Sequence, residues 1–201
     1  MPPHPGALPE RMPPIADARM SRAQKAAARK LRSGRHGAII GPFIPALRSP
    51  ELALRLERLG EYVRLENALG PRLTEFAILL TAREWTQQFE WHVHAPIAAE
   101  QGVSPSAIRA IAEGRRPPRM RRDESVVYDF VAELHRARSV GDAIYRRAVR
   151  ALGEAGVVDL IGVVGYYTTL AMLMNVARTP LPPGEEPGLE ALPQPPYSGA
   201  D

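Results

Sequence analysis

Carboxylate and imidazole side chains recur at helical spacing in the stretch from Glu75 to Pro96. Glu90 and His94 are four positions apart, which places their side chains within hydrogen-bonding reach on one face of a helix. A carboxylate beside an imidazole raises the proton affinity of the ring and fixes its tautomer. The spacing therefore predicts a general acid–base site that works near neutral pH. A surface ion pair without catalytic function is the simpler alternative, because such pairs are common on helices.

Further polar residues would share that face if Arg83 to His94 formed one continuous helix. We expect Arg83 to hold a substrate carboxylate, because a planar guanidinium group binds a carboxylate through two parallel hydrogen bonds. Gln87 and Trp91 complete the predicted face as substrate-binding residues. Glu75 lies at least one turn upstream, so it can join the site only if the chain bends or a neighbouring helix closes the pocket.

A metal site is another alternative for this stretch, since Glu90, His92 and His94 all carry ligand atoms. Two histidines two positions apart on a helix point about 200° apart, so they cannot both bind one ion. We therefore expect no metal. No cofactor is expected either, because nothing in the sequence resembles a phosphate-binding loop or a dinucleotide fingerprint.

The elements that must position these residues are predicted to be helices, because apolar residues recur at helical spacing and no segment alternates like a strand. Ser49 with Pro50, and Ser104 with Pro105, have the pattern of an N-cap and a first helical residue. The predicted fold class is all-α. The expected helices cover residues 16–31, 50–68, about 73 to the end of the stretch above, 105–113, 123–137, 139–152 and 154–178.

The stretch from Val157 to Ala177 is as long as a membrane span needs to be. It contains Asp159 and Asn175, and no second segment is similarly apolar, so we expect a buried helix. Tyr166 and the adjacent Tyr167 lie in this helix and are candidates to add a phenol to the pocket. So long an apolar helix carries more apolar surface than the core of one small domain needs, and we therefore also expect a homo-oligomer.

Length and composition indicate one domain with tails, since the 201 residues are 45% hydrophobic. The proline-rich ends predict flexible tails over residues 1–16 and 183–201, around a helical domain over residues 17–182. The first residues lack the pattern of a secretory signal, and we expect a cytoplasmic protein without a membrane partner. Eight cationic side chains lie between Arg11 and Arg35, but most charge runs are solvated faces, so nucleic-acid binding is not expected.

The order Glu75, Gln87, Glu90 and His94, at offsets of twelve, three and four, resembles the alkylhydroperoxidase D and carboxymuconolactone decarboxylase superfamily. In its redox branch a glutamate precedes a C-x-x-C pair and a histidine at these offsets. Here Gln87 and Glu90 stand at the two cysteine positions. The resemblance covers about residues 35–183, and the following blocks are similar to the thiol-free, decarboxylase-like branch: "LRSPELALRLERLGEYVR", "EFAILLTAREW", "FEWHVHAPIAAEQGVSPSAI" and "LIGVVGYYTTLAMLMNV".

The chain contains no cysteine, which excludes the dithiol peroxidase cycle of the redox branch for this chain. The resemblance implies instead a cofactor-independent lyase, or a related acid–base enzyme, that acts on a small carboxylated substrate. The substrate would be a lactone or an aromatic-derived acid, as in the catabolism of aromatic compounds. A non-catalytic helical oligomer that binds a small acid or a partner protein is the alternative.

The resemblance also implies roles and assembly. His94 would give or take the proton, Glu90 would orient it, and Glu75 would be a second acid or base. The superfamily forms trimers and hexamers, so the same assembly is expected here. A Glu90–His94 pair sealed from any cavity would favour the non-catalytic alternative.

Overall fold

The computed structural model describes residues 9–34 and 37–191, and within these residues it contains helices and no β-strand. The predicted all-α fold class is confirmed. A short 3-10 turn, Asp17–Arg19, precedes the first α-helix. In chain order the helices are α1 (Arg22–Ser33), α2 (Phe43–Ala46), α3 (Pro50–Leu65), α4 (Pro71–Glu84), α5 (Gln88–Glu100), α6 (Pro105–Ala112), α7 (Arg122–Ala137) and α8 (Asp142–Ala177).

Helix α4 lies at the centre of the core and packs against α5, α7 and α8. Ten of its fourteen residues are buried, so neighbours surround it on nearly every side. Phe76, Ile78 and Leu79 have no exposed surface. Because Glu75 lies among these residues, the packing of α4 carries its carboxylate into the interior.

The chain bends between α4 and α5, so the predicted continuous helix from Arg83 to His94 is wrong. Helix α4 ends at Glu84, and Thr86 then adopts a positive φ of 45°. A non-glycine residue rarely adopts this conformation, and it stops the helix. The bend folds α5 back against α4, which is one of the two conditions under which Glu75 was expected to reach the site.

The side chain of Gln87 begins the new helix after the bend. Its Oε1 accepts hydrogen bonds from the backbone N–H groups of Phe89, at 2.6 Å, and Glu90, at 3.2 Å. These amides have no partner within the helix, because the first N–H groups of any helix lack a preceding turn. Gln87 thereby acts as the N-cap of α5.

The predicted helices over residues 139–152 and 154–178 form one element, α8, with a kink at Gly153. Gly153 has φ 73° and ψ 169°, a conformation open almost only to glycine. By length and composition α8 is the one described helix that could cross a membrane, but 56% of its most apolar window is buried within the protein. That burial favours the core helix expected from the sequence.

Both ends of the described chain pack against the helices. The backbone N–H of Arg11 donates to the carbonyl oxygen of Ala177 at 2.8 Å. Leu189 is buried, and its backbone exchanges two hydrogen bonds with the amide side chain of Gln88, of 2.7 and 3.1 Å. The predicted domain limits stay a prediction, since residues 1–8 and 192–201, like Arg35 in the basic run, lie outside the described residues.

Candidate active site

The bend brings Glu75 of α4 and His94 of α5 into contact. His94 Nδ1 lies 2.7 Å from Glu75 Oε2, and both side chains are buried. An ionised carboxylate only accepts hydrogen bonds, so the ring donates from Nδ1. This contact fixes the ring orientation and leaves Nε2 as the nitrogen that can exchange a proton.

Glu90 contacts the other ring nitrogen of His94, but less closely than predicted. Its Oε2 lies 3.5 Å from Nε2, which exceeds the usual hydrogen-bond range of about 2.7–3.2 Å. Glu90 Oε1 is buried and has no hydrogen-bond partner among the described residues. The hydrogen-bonded partner of the ring is therefore Glu75, and Glu90 is left with an uncommitted carboxyl group.

Burial changes the acidity of Glu90. Desolvation raises the pKa of its carboxyl group to about 7, with a smaller contribution from the negative charge of Glu75, while His94 and Arg64 partly offset the shift. A buried carboxylate loses its hydration, so the neutral form gains relative to the charged form. Glu90 thus exchanges its proton close to neutral pH, where a general acid or base is most effective.

A cavity of about 120 Å³ adjoins Glu90 and His94. An engineered cavity of about 150 Å³ in another protein binds benzene, so a space of this order suits one small ring. Because the cavity adjoins the pair, the Glu90–His94 contact is not sealed. Most of the wall is apolar or aromatic, and it includes Phe43, Phe89, Val93, Tyr166, Tyr167 and Leu170.

Two tyrosines of α8 form the aromatic side of this cavity. Tyr167 packs edge-on against His94, with ring centroids 5.1 Å apart and an interplanar angle of 87°. Tyr166 packs against Tyr167 in the same manner at 5.2 Å. Burial raises the pKa of both phenols, so they stay protonated at neutral pH. The structure thus places Tyr166, which was predicted from the sequence, in the wall of the cavity.

Arg64 of α3 also lines the cavity, and sequence reasoning missed it. Its Nη2 lies 3.9 Å from Glu75 Oε1, and its side chain is 15% exposed. Nothing in the local sequence distinguishes it, because α3 also carries Arg55 and Arg58 on an amphipathic pattern. Only the packing of α3 against the other helices selects Arg64.

The structure does not bring Arg83 to the cavity. Its guanidinium group donates to the carbonyl oxygens of Ala112, at 3.0 Å, and Glu190, at 2.7 Å, and to Thr86 Oγ1 at 3.0 Å. These bonds tie the end of α4 to α6 and to the segment after α8. Arg83 is buried by this network, and the cavity of about 120 Å³ that it lines is a separate one, beside Tyr128 and His135.

Gln87 and Trp91 also lie outside the cavity lining. Besides capping α5, Gln87 donates from Nε2 to Asn175 Oδ1 at 3.0 Å. Trp91 packs so closely on Gly188 that an added Cβ there would lie 2.8 Å from the indole ring. Gln87 thus connects the start of α5 to α8, and Trp91 packs α5 against the segment that follows α8.

The two histidines of α5 diverge, as helical geometry predicted. His92 Nδ1 lies 3.6 Å from Glu185 Oε2, in the segment that follows α8, while His94 contacts Glu75. Within residues 9–34 and 37–191, no three histidine, aspartate or glutamate side chains are grouped so that they could hold a metal ion.

No protein-family model and no curated protein sequence matches the chain. Its structure is similar to that of a protein of unknown function from Agrobacterium tumefaciens, provisionally assigned as the antioxidant defence protein AhpD. The TM-score is 0.61 at 18% identity, over 68% of this chain and 94% of that chain. It is also similar to the apo form of the debrominase Bmp8, with a TM-score of 0.65 at 10% identity, over 86% of this chain and 92% of that chain.

A cysteine-to-alanine variant of Bmp8 in complex with 2,3,4-tribromopyrrole gives a TM-score of 0.67 at 10% identity, over 88% of this chain and 94% of that chain. These likenesses show that the chain has the AhpD-like all-α fold, and they confirm at the level of the fold the resemblance seen in the sequence. At such low identities the chemistry must be argued from the residues of this chain.

Proposed function

We propose that this AhpD-like chain is a cofactor-independent enzyme that transfers a proton on a small carboxylated substrate, with decarboxylation as the reaction. The observation that carries the proposal is the buried array of Glu75, His94 and Glu90 beside a cavity of about 120 Å³. The resemblance to carboxymuconolactone decarboxylase supports a lactone or aromatic-derived acid as the substrate. The debrominase neighbour is an enzyme whose variant binds one small ring, which is the size of ligand that this cavity suits.

The geometry supports different roles from those that the resemblance implied. Glu75 holds the short hydrogen bond to Nδ1, so it positions His94 and stabilises the charged ring. Glu90 has a free carboxyl oxygen and a pKa of about 7, so it is the better proton donor. In this scheme Glu90 and His94 act on the substrate, and Glu75 acts through His94.

The reaction needs only these groups. When the carbon–carbon bond to the carboxylate breaks, its electron pair moves into the adjacent unsaturated lactone or ring carbonyl and carbon dioxide leaves. Glu90 then donates its proton to the carbon that lost the carboxylate. The negative charge that forms on Glu90 lies beside His94 and Arg64, which stabilise it. One proton is consumed for each carbon dioxide released.

The proton must be returned to Glu90 from solvent, and His94 Nε2 is the ring nitrogen that can carry it, because Nδ1 already donates its proton to Glu75. Glu75 lines a second cavity of about 200 Å³, to which Arg64 and Gln101 also contribute. His94 and Glu90 line the first cavity and not the second. The Glu75–His94 hydrogen bond therefore joins the two cavities, and the charge of Glu75 stabilises the ring when Nε2 takes up the proton that passes to Glu90.

Assembly as a homo-oligomer is part of the proposal. Helix α8 exposes 66% of Val158, and α3 exposes 45% of Leu59 and 59% of Leu65. Tyr62 donates to Asp159 Oδ1 at 2.9 Å and joins the two helices at this face. Exposed apolar side chains on adjoining helices favour burial against a second copy of the chain. A trimer or hexamer remains the prediction of the resemblance.

A substrate screen in deuterated buffer tests the proposed reaction. Purified protein is incubated with small unsaturated lactone acids and aromatic acids, and NMR follows loss of the acid and deuterium bound to the product carbon. At least one acid is expected to react. The rate should fall about 10²- to 10⁴-fold in Glu90→Gln and His94→Gln, as when a general acid–base group is lost.

Matched controls on the same helix are available. His92→Gln and Glu100→Gln make the same chemical changes outside the first cavity and should leave the rate unchanged. The proposal is wrong if no acid reacts, or if Glu90→Gln and His94→Gln react as fast as the controls. In that case the non-catalytic binding protein becomes the better interpretation.

A further inference from the structure

Arg64 is a largely buried guanidinium group whose donors are not used by the fold. Its side chain is 15% exposed, and its only acidic contact among the described residues is Glu75 at 3.9 Å. Its Nε is fully buried and has no hydrogen-bond partner in the described part of the chain. Buried polar groups are nearly always hydrogen-bonded, so unused donors on a permanently charged group call for a partner.

Other buried guanidinium groups of the protein show how the fold satisfies such a side chain. Arg72 contacts the carboxylates of Asp123 and Glu124. The Nη groups of Arg83 bond three oxygen atoms, although its Nε, like that of Arg64, is buried without a partner among the described residues. The difference between Arg64 and the other two therefore lies in its Nη groups. Glu75 does not do the same for Arg64, because its Oε1 lies 3.9 Å from Arg64 Nη2, which is too long for a hydrogen bond, and its Oε2 accepts from His94. The missing partner of Arg64 must therefore come from another source.

The position of Arg64 identifies that source. Arg64 lines both cavities, and it is the one arginine or lysine among the described residues that line the first, where Glu90 and His94 also lie. Glu57 and Glu61 of the same helix also line the cavity, and burial raises the pKa of Glu57, helped by the charge of Glu61. Glu57, Glu61 and Glu90 repel a negative ligand when they are ionised, so only Arg64, and His94 when protonated, can attract one within this cavity.

We propose that Arg64 is the receptor for the carboxylate of the substrate, in place of Arg83. This inference rests on the proposed function and identifies how its substrate is selected. A carboxylate matches the planar fork of the guanidinium group and forms two charge-assisted hydrogen bonds with it. A small ring bound in this way fills the aromatic cavity and lies beside Glu90 and His94.

A comparison of one acid with its amide isolates the contribution of Arg64. Furan-2-carboxylate and furan-2-carboxamide have nearly the same shape, but only the first is an anion. Their affinities are measured by NMR titration with the unsubstituted protein, Arg64→Gln, Arg64→Lys and Arg58→Gln. Arg58 is exposed on the same helix and does not line the cavity, so Arg58→Gln makes the same change in net charge.

The acid is expected to bind the unsubstituted protein and Arg58→Gln with equal affinity, and more tightly than the amide. In Arg64→Gln the acid should bind about 10- to 100-fold more weakly, the range for losing hydrogen bonds to a charged group, while the amide is unaffected. Arg64→Lys keeps the charge without the fork, so its preference for the acid should shrink. It also serves as the deciding variant if Arg64→Gln does not fold.

Two results would overturn the assignment: the acid binds the unsubstituted protein no better than the amide, or it binds Arg64→Gln as well as Arg58→Gln. Neither result affects the acid–base roles, which depend on the turnover of Glu90→Gln and His94→Gln. Conversely, binding of the acid could depend on Arg64 while no acid is turned over. That result would overturn the proposed enzymatic function and leave Arg64 as the anion receptor of a binding protein.

Discussion

Gln87 in the α4–α5 bend and Asn175 near the end of α8 form a hydrogen bond of 3.0 Å across 88 positions of sequence. Asn175 in turn donates from Nδ2 to the carbonyl oxygen of Trp85 at 2.9 Å. The other end of the Gln87 amide caps α5. One side chain therefore fixes the start of α5 and its place against α8, and with them the position of Glu90.

Replacing Gln87 with alanine should lower the free energy of unfolding by roughly 1–3 kcal/mol, because a helix cap is lost and buried polar groups lose their partner. Urea denaturation measures the change. Gln101→Ala, at the exposed far end of the same helix, is the matched control and should change stability by less than about 0.5 kcal/mol. Equal effects of the two substitutions would show that the bend does not depend on Gln87.

The pKa of Glu90 gives stability a pH dependence whose sign can be derived. The folded protein binds this proton up to a pH of about 7, whereas the unfolded chain releases it near the ordinary glutamate value of about 4.3. The contribution of this proton to stability is therefore fully present at a pH below the pKa of Glu90 in the unfolded chain. It is lost as the pH rises towards 7, the pKa in the folded protein. At pH 8 the charged, buried Glu90 opposes folding by up to about 4 kcal/mol.

Glu90→Gln removes that titration and keeps the shape of the neutral acid. The free energy of unfolding of the variant minus that of the unsubstituted protein should be larger at pH 8 than at pH 5, by up to about 3 kcal/mol. Denaturant unfolding at the two pH values measures the difference. Glu100→Gln, exposed on the same helix, should show no such change. A Glu90→Gln difference that does not vary with pH would contradict the raised pKa.

Gly60 allows the hydroxyl of Tyr166 to approach α3 closely. A Cβ added at this position would clash with that hydroxyl and with its ring. Gly60→Ala should therefore displace Tyr166, reduce the cavity and destabilise the fold by about 1–3 kcal/mol, as overpacking does. Gly165→Ala is the control, since nothing lies within 4 Å of its added Cβ, and it should be neutral or stabilising by up to about 1 kcal/mol.

Thermal or urea unfolding of the two glycine variants gives the comparison, and binding of a small acid reports the state of the cavity. Gly60→Ala should weaken binding, whereas Gly165→Ala should not. If Gly60→Ala were as stable as Gly165→Ala and bound the acid normally, the close approach of Tyr166 would not define the cavity wall.

The exposed apolar face of α3 and α8 predicts an oligomer that a single charge disrupts. Ile161 is 47% exposed and lies three positions from Val158 on α8. Ile161→Asp would bury a charge in the contact between copies and should reduce the sedimentation coefficient towards that of a monomer. Tyr145→Asp also replaces an exposed apolar residue of α8, but before the Gly153 kink, and should not change assembly.

Sedimentation velocity at several protein concentrations distinguishes the outcomes. A monomer for the unsubstituted chain at all concentrations would contradict the predicted oligomer. Equal dissociation by Ile161→Asp and Tyr145→Asp would place the contact elsewhere on α8. The experiment does not depend on finding a substrate.

Local sequence determined the helices and the central pair. Helical periodicity and N-cap patterns depend on neighbouring residues, so the all-α class and the starts of α3 and α6 at Pro50 and Pro105 were predicted correctly. Glu90 and His94 are four positions apart, and any helix through them brings them near each other. The break predicted between residues 152 and 154 coincides with the kink of α8 at Gly153, because the conformational freedom of glycine is a property of one residue.

Tertiary packing decided which residues complete the site. Glu75 became the hydrogen-bonded partner of His94 because the chain bends after α4, and the bend is held by Gln87 through a contact 88 positions away. Arg64 rather than Arg83 reached the cavity because α3 packs beside it. Such convergence depends on the relative placement of whole helices, which spacing along one helix cannot specify.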